Sequence, residues 1–370
     1  MKNIVFRPAC LSDLDQIYDM AMEAEVGMTS LPKDKATMFK KIEQSVRSFE
    51  KTVTKPSDES YFFVLENTKS KRLLGICNIL ASVGVDEPFF SYQVQYIPKE
   101  SRLMGIKKNI PVLKLTITRN GPSEIGGLYL RKKYRKKGVG RFLSMSRFLY
   151  MSSFPHRFKK TVIAEMRGVS SHKTGAPFWN YLGKTFFELS FSEADLYSAK
   201  SKGFIHELMP RYPIYVDLLP QKIKEVIAKT HKQTTPALHL LNNEGFKFAG
   251  AVDIFDAGPK IAACTKDLRI VKESTLASLN SYTVKSESKS LLLVANQSEF
   301  DFRVACTKFL SGKKTCQLSQ EVASLIHCEI GESICFTPLS SKNKINNKNS
   351  FMESFNQWYH QKASILITSG

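Results

Sequence analysis

The sequence has no long apolar segment. None of its uninterrupted apolar runs approaches the roughly 20 residues that a membrane helix requires. The N-terminal segment also lacks the apolar centre of a secretory signal peptide, because Asp13, Asp15 and Asp19 interrupt it. We therefore expect a protein with no membrane association and a cytoplasmic location.

Cysteine and histidine are sparse and scattered. The seven cysteines are odd in number and no two form a C-x-x-C pair, which disfavours a disulfide framework and a zinc site and fits reduced thiols. His327-Cys328 is the single adjacent His/Cys pair, and a structural role suits it better than metal binding. We predict no metal site and no permanently bound cofactor.

Acidic residues are fewer than basic residues. The chain has 34 Asp and Glu against 54 Lys and Arg, so its net charge is +20. Such an excess of positive charge favours solubility and attracts polyanions. Three explanations stay open: a nucleic-acid partner, a phosphate-rich cofactor and a generally basic proteome. With 42% hydrophobic and 24% charged residues, the chain is typical of a soluble globular protein with room for two or three units.

The order of predicted elements indicates an α+β fold. A short strand at residues 4–8 precedes two amphipathic helices, the second over residues 35–49. Four strand-like runs follow, separated by polar or proline-bearing loops, at residues 61–66, 73–82, 91–97 and 112–118. A helix is expected over residues 220–229, and another is expected to begin with Thr235 as N-cap and to end at Gly245. This order predicts a layered structure whose sheet is mainly antiparallel.

The C-terminal third has a different texture. Short β-rich runs at residues 291–295, 302–307 and 333–336 predict a small β domain over residues 276–339, after a main domain over residues 1–275. Residues 340–370 form a Ser/Asn/Lys-rich linker and a short tail. In the tail Phe351, Phe355 and Trp358 have helical spacing, which fits a docking helix or a partner-binding one.

The most informative stretch is a basic turn with the pattern Arg135-x-x-Gly138-x-Gly140. It lies between a predicted strand (residues 123–130) and a predicted helix, with a further strand at residues 161–166. Glycine allows the backbone to approach a ligand closely, and the first amides of a helix lack intrahelical acceptors and point outward. Together with the helix dipole they form an anion site of pyrophosphate size.

The turn admits other interpretations. The chain has neither the G-x-x-x-x-G-K-[ST] of a P-loop nor the G-x-G-x-x-G of a dinucleotide fold. A solvated basic turn and a nucleic-acid or nuclear-targeting patch stay open, since six of the seven residues 131–137 are basic. The aromatic residues that usually accompany a nucleic-acid surface are not evident, so we favour no nucleic-acid partner.

The strand, turn, helix and strand resemble the GNAT superfamily of acyl-CoA N-acyltransferases, in which R/Q-x-x-G-x-G/A holds the pyrophosphate of coenzyme A. Longer strings resemble one family within it, arginine N-succinyltransferase. They include Gly27-Met28-Thr29-Ser30-Leu31-Pro32, Ala164-Glu165-Met166-Arg167-Gly168-Val169 and Val252-Asp253-Ile254-Phe255-Asp256-Ala257-Gly258-Pro259. The resemblance implies a GNAT-like fold with a mixed, mainly antiparallel sheet flanked by helices.

The resemblance also implies a reaction, in which succinyl-CoA acylates the α-amine of L-arginine. Arg135, Gly138 and Gly140 would hold the coenzyme, Leu128 matches the succinyl-CoA-binding leucine of the family, and His231 matches its catalytic proton donor. Succinyl-CoA is then a co-substrate. Both a homodimer and a hetero-oligomer are compatible with the resemblance.

The chain departs from the family pattern at three places. Gly126-Gly127 replaces a Cys-Thr or Cys-Ser pair, Lys232 takes a position usually filled by proline or a small residue, and Tyr212 stands where a histidine is usual. The last departure keeps another basic amino acid, such as ornithine, as an alternative amine. Candidates for the substrate's charged groups, each equally readable as a structural ion pair, are Glu165, Asp253, Asp256, Arg167 and Arg211.

Overall fold

The computed structural model describes residues 1–24, 31–136, 138–171, 174–198, 203–282, 290–311 and 314–340. Residues 27–30 of the first family string, Lys137 of the turn and the predicted tail beyond Ser340 lie outside these ranges.

Groups of strands alternate with groups of helices along the chain. The strands are β1 (Ile4–Pro8), β2 (Ser60–Asn67), β3 (Arg72–Leu80), β4 (Phe89–Ser101), β5 (Ile106–Thr118), β6 (Ser123–Leu130), β7 (Thr161–Glu165), β8 (Ile214–Tyr215), β9 (Lys247–Val252), β10 (Pro259–Cys264), β11 (Thr275–Tyr282), β12 (Leu292–Asn296), β13 (Val304–Thr307), β14 (Leu310–Ser311), β15 (Thr315–Leu318) and β16 (Ser333–Pro338). The helices are α1 (Leu14–Glu23), α2 (Lys35–Glu50), α3 (Val139–Ser153), α4 (Lys184–Phe187), α5 (Phe191–Ser198), α6 (Gly203–Leu208), α7 (Gln221–Lys224), α8 (Thr235–Glu244), α9 (Arg269–Glu273) and α10 (Gln320–Leu325), with a π-helix over Trp179–Gly183.

These strands form one hydrogen-bonded sheet in the order β14-β15-β11-β16-β12-β13-β1-β2-β3-β6-β7-β10-β9-β4-β5-β8. Among the described strands, β6–β7 and β11–β15 are parallel pairs and the other pairs are antiparallel. The α+β class with a mixed, mainly antiparallel sheet flanked by helices is thereby confirmed. No helix in the described ranges is long and apolar enough to cross a membrane.

The sheet is covered on both faces near its centre. Successive side chains of a strand point to opposite faces, and in β2 this places Phe63 and Leu65 in one core and Phe62 and Val64 in another. The first core also contains the buried side of α3, and the second contains α1 and most of the buried side of α2. Burial on both faces explains why β2 is continuously hydrophobic over residues 61–65 and does not alternate with polar residues there.

The strands β11 to β16 have an apolar core of their own, which includes Leu279, Val294 and Ile334. Their sheet nevertheless continues into the body of the protein, because β13 pairs with β1 through Val5↔Ala305 and Phe6↔Val304. The boundaries at residues 275 and 339 remain predictions.

Of two predicted helices, one ends as predicted and the other is shorter than predicted. Gly245 ends α8 with a left-handed φ of 109°, as predicted for a C-terminal glycine, although Thr234 and not Thr235 is the N-cap. The helix predicted over residues 220–229 extends only over Gln221–Lys224. The reason is tertiary: Ala228 adopts a φ of +58°, and its N–H donates to the carbonyl of Ala257.

Candidate active site

The sheet opens between β6 and β7. These two strands pair only at Ser123↔Val162 and Glu124↔Ile163, although β6 continues to Leu130. Beyond Glu124 the backbone of β6 therefore has no strand partner on its β7 side, which leaves peptide groups available to a ligand. Leu128, the predicted binding leucine, lies in this unpaired part.

A β-bulge places Leu128. The register of β3 against β6 shifts between Ile76 and Asn78, opposite Gly126 to Tyr129, and Gly127 has a left-handed φ of +57°. A β-carbon at Gly127 would lie 2.9 Å from Asn78 Oδ1, and one at Gly126 would lie 3.0 Å from the same atom. The two glycines thus accommodate the buried Asn78 side chain inside the bulge.

The basic turn follows β6 directly. Gly138 is the N-cap of α3 and adopts a φ of +92°, a conformation that glycine reaches without strain. Arg135 is exposed, and its Nε donates to the carbonyl of Leu130 at 2.9 Å, which positions the rest of its guanidinium group beside the turn. The N-terminus of α3 adds unpaired amides and a partial positive charge.

One cavity of about 1020 Å³ connects the turn with the opening in the sheet. Its lining includes four of the five predicted site residues, namely Leu128, Arg135, Gly138 and Gly140. Further cations surround the turn end of the cavity, among them Lys132, Lys136 and Arg141. The cavity therefore has a cation-rich end beside the turn and, past Leu128, a second end within the sheet.

His231, the fifth predicted residue, is at the border of this cavity. Its own side chain does not line the cavity, whereas Gln233 and Thr234 do. The backbone N–H of His231 donates to the carbonyl of Arg167 at 2.8 Å, and Arg167 lines the cavity too. The N–H of Gln233 donates to His231 Nδ1 at 3.2 Å, so the neutral ring carries its proton on Nε2.

The comparisons with known proteins agree on one family. Residues 4–270 match the family model described as "Arginine N-succinyltransferase beta subunit". The chain belongs to the arginine N-succinyltransferase family. A curated relative named arginine N-succinyltransferase, from Escherichia coli strain 55989, is 34% identical over 92% of this chain and 99% of its own length.

A solved structure is similar over the same extent. It is titled arginine/ornithine succinyltransferase subunit AI from Pseudomonas aeruginosa, and it covers 92% of this chain and 100% of its own with a TM-score of 0.84 and 33% identity. Membership of the arginine N-succinyltransferase family makes the chain an acyltransferase, and the family's acyl donors are acyl-CoA thioesters.

Acidic side chains line the end of the cavity away from the turn. They are Glu124, Glu165, Asp253 and Asp256. Asp256 is buried and accepts the backbone N–H groups of Gly168 at 2.7 Å and Gly258 at 2.8 Å. Burial, and then the negative charge of Asp253, raise the pKa of Asp256 to about 8. A pKa near 8 keeps Asp256 mostly protonated at neutral pH, so the other three acidic side chains are the candidates for contact with a cationic substrate.

Among the five candidates for substrate charges, Arg211 is the one that the structure separates from the others. Glu165, Asp253, Asp256 and Arg167 all line the cavity, whereas Arg211 and its neighbour Tyr212 do not. Tyr212 is 86% exposed. The Tyr212 departure from the family pattern therefore does not alter the described walls of the cavity.

Among the charged lining residues that sequence reasoning missed is Arg147 of α3. Its neighbours in the sequence are Ser146 and Phe148, within an apolar helix, and no motif includes it. The available signal was an arginine inside the stretch Phe142 to Met151 of α3, whose other residues are apolar or hydroxyl-bearing.

Proposed function

We propose that this protein transfers the succinyl group of succinyl-CoA to the α-amine of L-arginine, producing N2-succinyl-L-arginine and free coenzyme A. The observation that carries the proposal is the single cavity that has cations and a helix N-terminus at one end and four carboxyl groups at the other. A pyrophosphate suits the first end and a guanidinium or ammonium group suits the second.

The reaction requires a bond exchange at one carbon atom. The amine nitrogen attacks the thioester carbonyl, the C–N bond forms, the C–S bond breaks, and the proton lost by the amine balances the proton gained by sulfur. Negative charge on the carbonyl oxygen needs a donor, and the unpaired backbone of β6 near Leu128 supplies peptide groups there.

His231 is the proposed source of the proton for sulfur. Its Nδ1 is occupied by the Gln233 N–H, so Nε2 is the nitrogen that can present hydrogen to the departing thiolate. Arg135, Gly138 and Gly140 are proposed to hold the coenzyme pyrophosphate, and Leu128 to contact the acyl part of the thioester.

A second amine, ornithine, is the alternative. The P. aeruginosa structure that matches this chain is titled arginine/ornithine succinyltransferase, and the carboxyl-lined end of the cavity suits either cation. We also predict a second subunit, identical or not, and a cytoplasmic location, which the seven free cysteines favour.

The test is a thiol-release assay with succinyl-CoA and a panel of arginine, ornithine, lysine and agmatine. We expect arginine-dependent release of free thiol, with ornithine slower, and no release with agmatine, which keeps the corresponding primary amine but has no α-carboxylate. Absence of release with every α-amino acid of the panel would refute the proposed function.

A further inference from the structure

Arg147 is the buried charge that the proposed reaction has not used. It lies two helical turns after the N-terminus of α3, about 12 Å along the helix at 1.5 Å per residue. Gly140, Leu143 and Arg147 line the cavity, and their i, i+3, i+7 spacing places them on one face of the helix. The residue is only 2% exposed.

The guanidinium group of Arg147 has neutral partners only. Its Nε donates to the carbonyl of Ser144 at 3.2 Å and its Nη2 donates to Ser144 Oγ at 2.9 Å. Its Nη1 reaches the carbonyl of Gly126 at 3.4 Å, a long contact. In the described part of the chain it forms no ion pair, and burial lowers its pKa.

A second buried arginine has a structural role, and its partners show how this fold compensates a buried positive charge. Arg157 is 0% exposed and forms an ion pair with Glu299. It also donates to the carbonyls of Ser48 and Lys51, each at 3.1 Å, and to the hydroxyl of Tyr61 at 3.2 Å. An isolated buried charge is costly, so the unpaired guanidinium of Arg147 beside an open cavity calls for an anion.

We propose that Arg147 binds the terminal carboxylate of the acyl group and so selects a dicarboxylic acyl-CoA over a simple one. The inference rests on the proposed function. Its location favours the acyl group: Nη1 lies against Gly126, two residues before Leu128, where β6 has already separated from β7. A guanidinium offers a carboxylate two parallel N–H donors.

The amino-acid substrate carries a carboxylate too, and Arg167 is better placed for it. Arg167 follows β7, its carbonyl accepts the N–H of His231, and it lines the cavity with Glu165 and Asp256. Arg147 belongs to α3, the helix that begins at the proposed pyrophosphate site. The two arginines thus serve two different carboxylates.

The experiment compares succinyl-CoA with butyryl-CoA, which has the same four-carbon acyl chain and a methyl group in place of the carboxylate. Arg147→Met should lower kcat/KM for succinyl-CoA by about 10²–10³-fold, the effect of removing one partner of a buried charged pair. With butyryl-CoA the change should stay within about threefold, because that acyl group makes no ionic contact. Arg147→Lys keeps the charge without the paired donors, so we expect a loss of about tenfold on succinyl-CoA.

Arg157→Lys is the matched control, because it makes the same chemical change at the other buried arginine. It should lower the Tm and leave the succinyl-to-butyryl ratio unchanged. If Arg147→Met does not fold, the succinyl-to-butyryl ratios of Arg147→Lys and Arg157→Lys still test the inference. An equal loss with both acyl-CoAs in the folded Arg147 variants, with binding of free coenzyme A retained, would show that Arg147 only supports the packing of α3 and overturn the inference.

Failure of the proposed function gives a different result. If the wild-type protein acylates none of the amino acids, calorimetry of acyl-CoA binding remains a test. Tighter binding of succinyl-CoA than of butyryl-CoA by the wild type, lost in Arg147→Met, would support the carboxylate site. Equal binding of both thioesters by the wild type would contradict it.

Discussion

The two ends of the cavity differ in the chemical groups that line them. The turn end consists of main-chain amides, glycines and exposed cations, and its proposed ligand contacts follow from a local pattern of six residues, Arg135 to Gly140. The transfer end consists of buried and half-buried side chains from β6, α3, β7 and the loop between β9 and β10, and His231 lies at its border. The first end is therefore suited to hold a phosphate-bearing coenzyme, and we propose that the second end selects the acyl group and the amine.

This division predicts that variants at the transfer end change turnover and that variants at the turn change binding. His231→Ala should give the largest effect, a loss of about 10²–10⁴-fold in kcat, because the departing thiolate loses its proton donor. Binding of free coenzyme A, measured by calorimetry, should stay as in the wild type. A variant with full kcat would remove His231 from the mechanism.

The β-bulge in β6 lies between the two ends of the cavity. The Gly127→Ala variant tests whether the bulge positions Leu128. An alanine at a φ of +57° is strained, and its β-carbon would meet Asn78 Oδ1 at 2.9 Å. We expect the free energy of unfolding to fall by about 1–3 kcal/mol, together with a loss of kcat as Leu128 shifts. Gly126→Ala is the control, because it meets the same atom at 3.0 Å without a positive φ. Equal destabilisation by both variants in urea titrations would assign the cost to crowding alone.

At the turn, Arg135→Ala should raise KM for the acyl-CoA about tenfold, corresponding to about 1–2 kcal/mol of lost phosphate contact. The kcat value should remain nearly unchanged, and the difference from wild type should shrink as salt screens the exposed charges. Initial rates at two ionic strengths measure both effects. A fall in kcat with constant KM would contradict the assignment of binding to this end.

The smallest effect concerns pH. The pKa of Asp256 rises from 3.8 to about 8 in the folded protein, so the folded state binds this proton more tightly than the unfolded state does. Its contribution to stability is present below about pH 4 and is lost as the pH rises towards 8. Asp253→Asn removes the neighbouring charge, while its side-chain oxygen can still accept the N–H groups of Phe255 and Asp256.

We expect Asp253→Asn to lower the pKa of Asp256 and to flatten the decline in stability by about 1 kcal/mol between pH 5 and pH 8. Urea titrations at four pH values on the wild type and the variant measure the difference. Parallel curves would show that Asp253 does not act on Asp256.

Much of the fold was predictable because its signals are local. The strand β6 and the start of β7 were predicted at their observed bounds, and Gly245 was recognised as a helix end, since glycine alone reaches its φ without strain. The helix after Pro220 was predicted too long, because Ala228 leaves it for a hydrogen bond to Ala257, a contact that periodicity cannot reveal.

The sequence by itself determined the α+β class, the basic glycine-bearing turn before α3 and the family, since each depends on short strings of residues and their spacing. Tertiary structure alone decided that β6 separates from β7 after Glu124, that four carboxyl groups gather opposite the turn, and that Arg147 is buried without a carboxylate. The physical reason is that the cost of a buried charge depends on which residues surround it, and residues distant in the chain supply those surroundings.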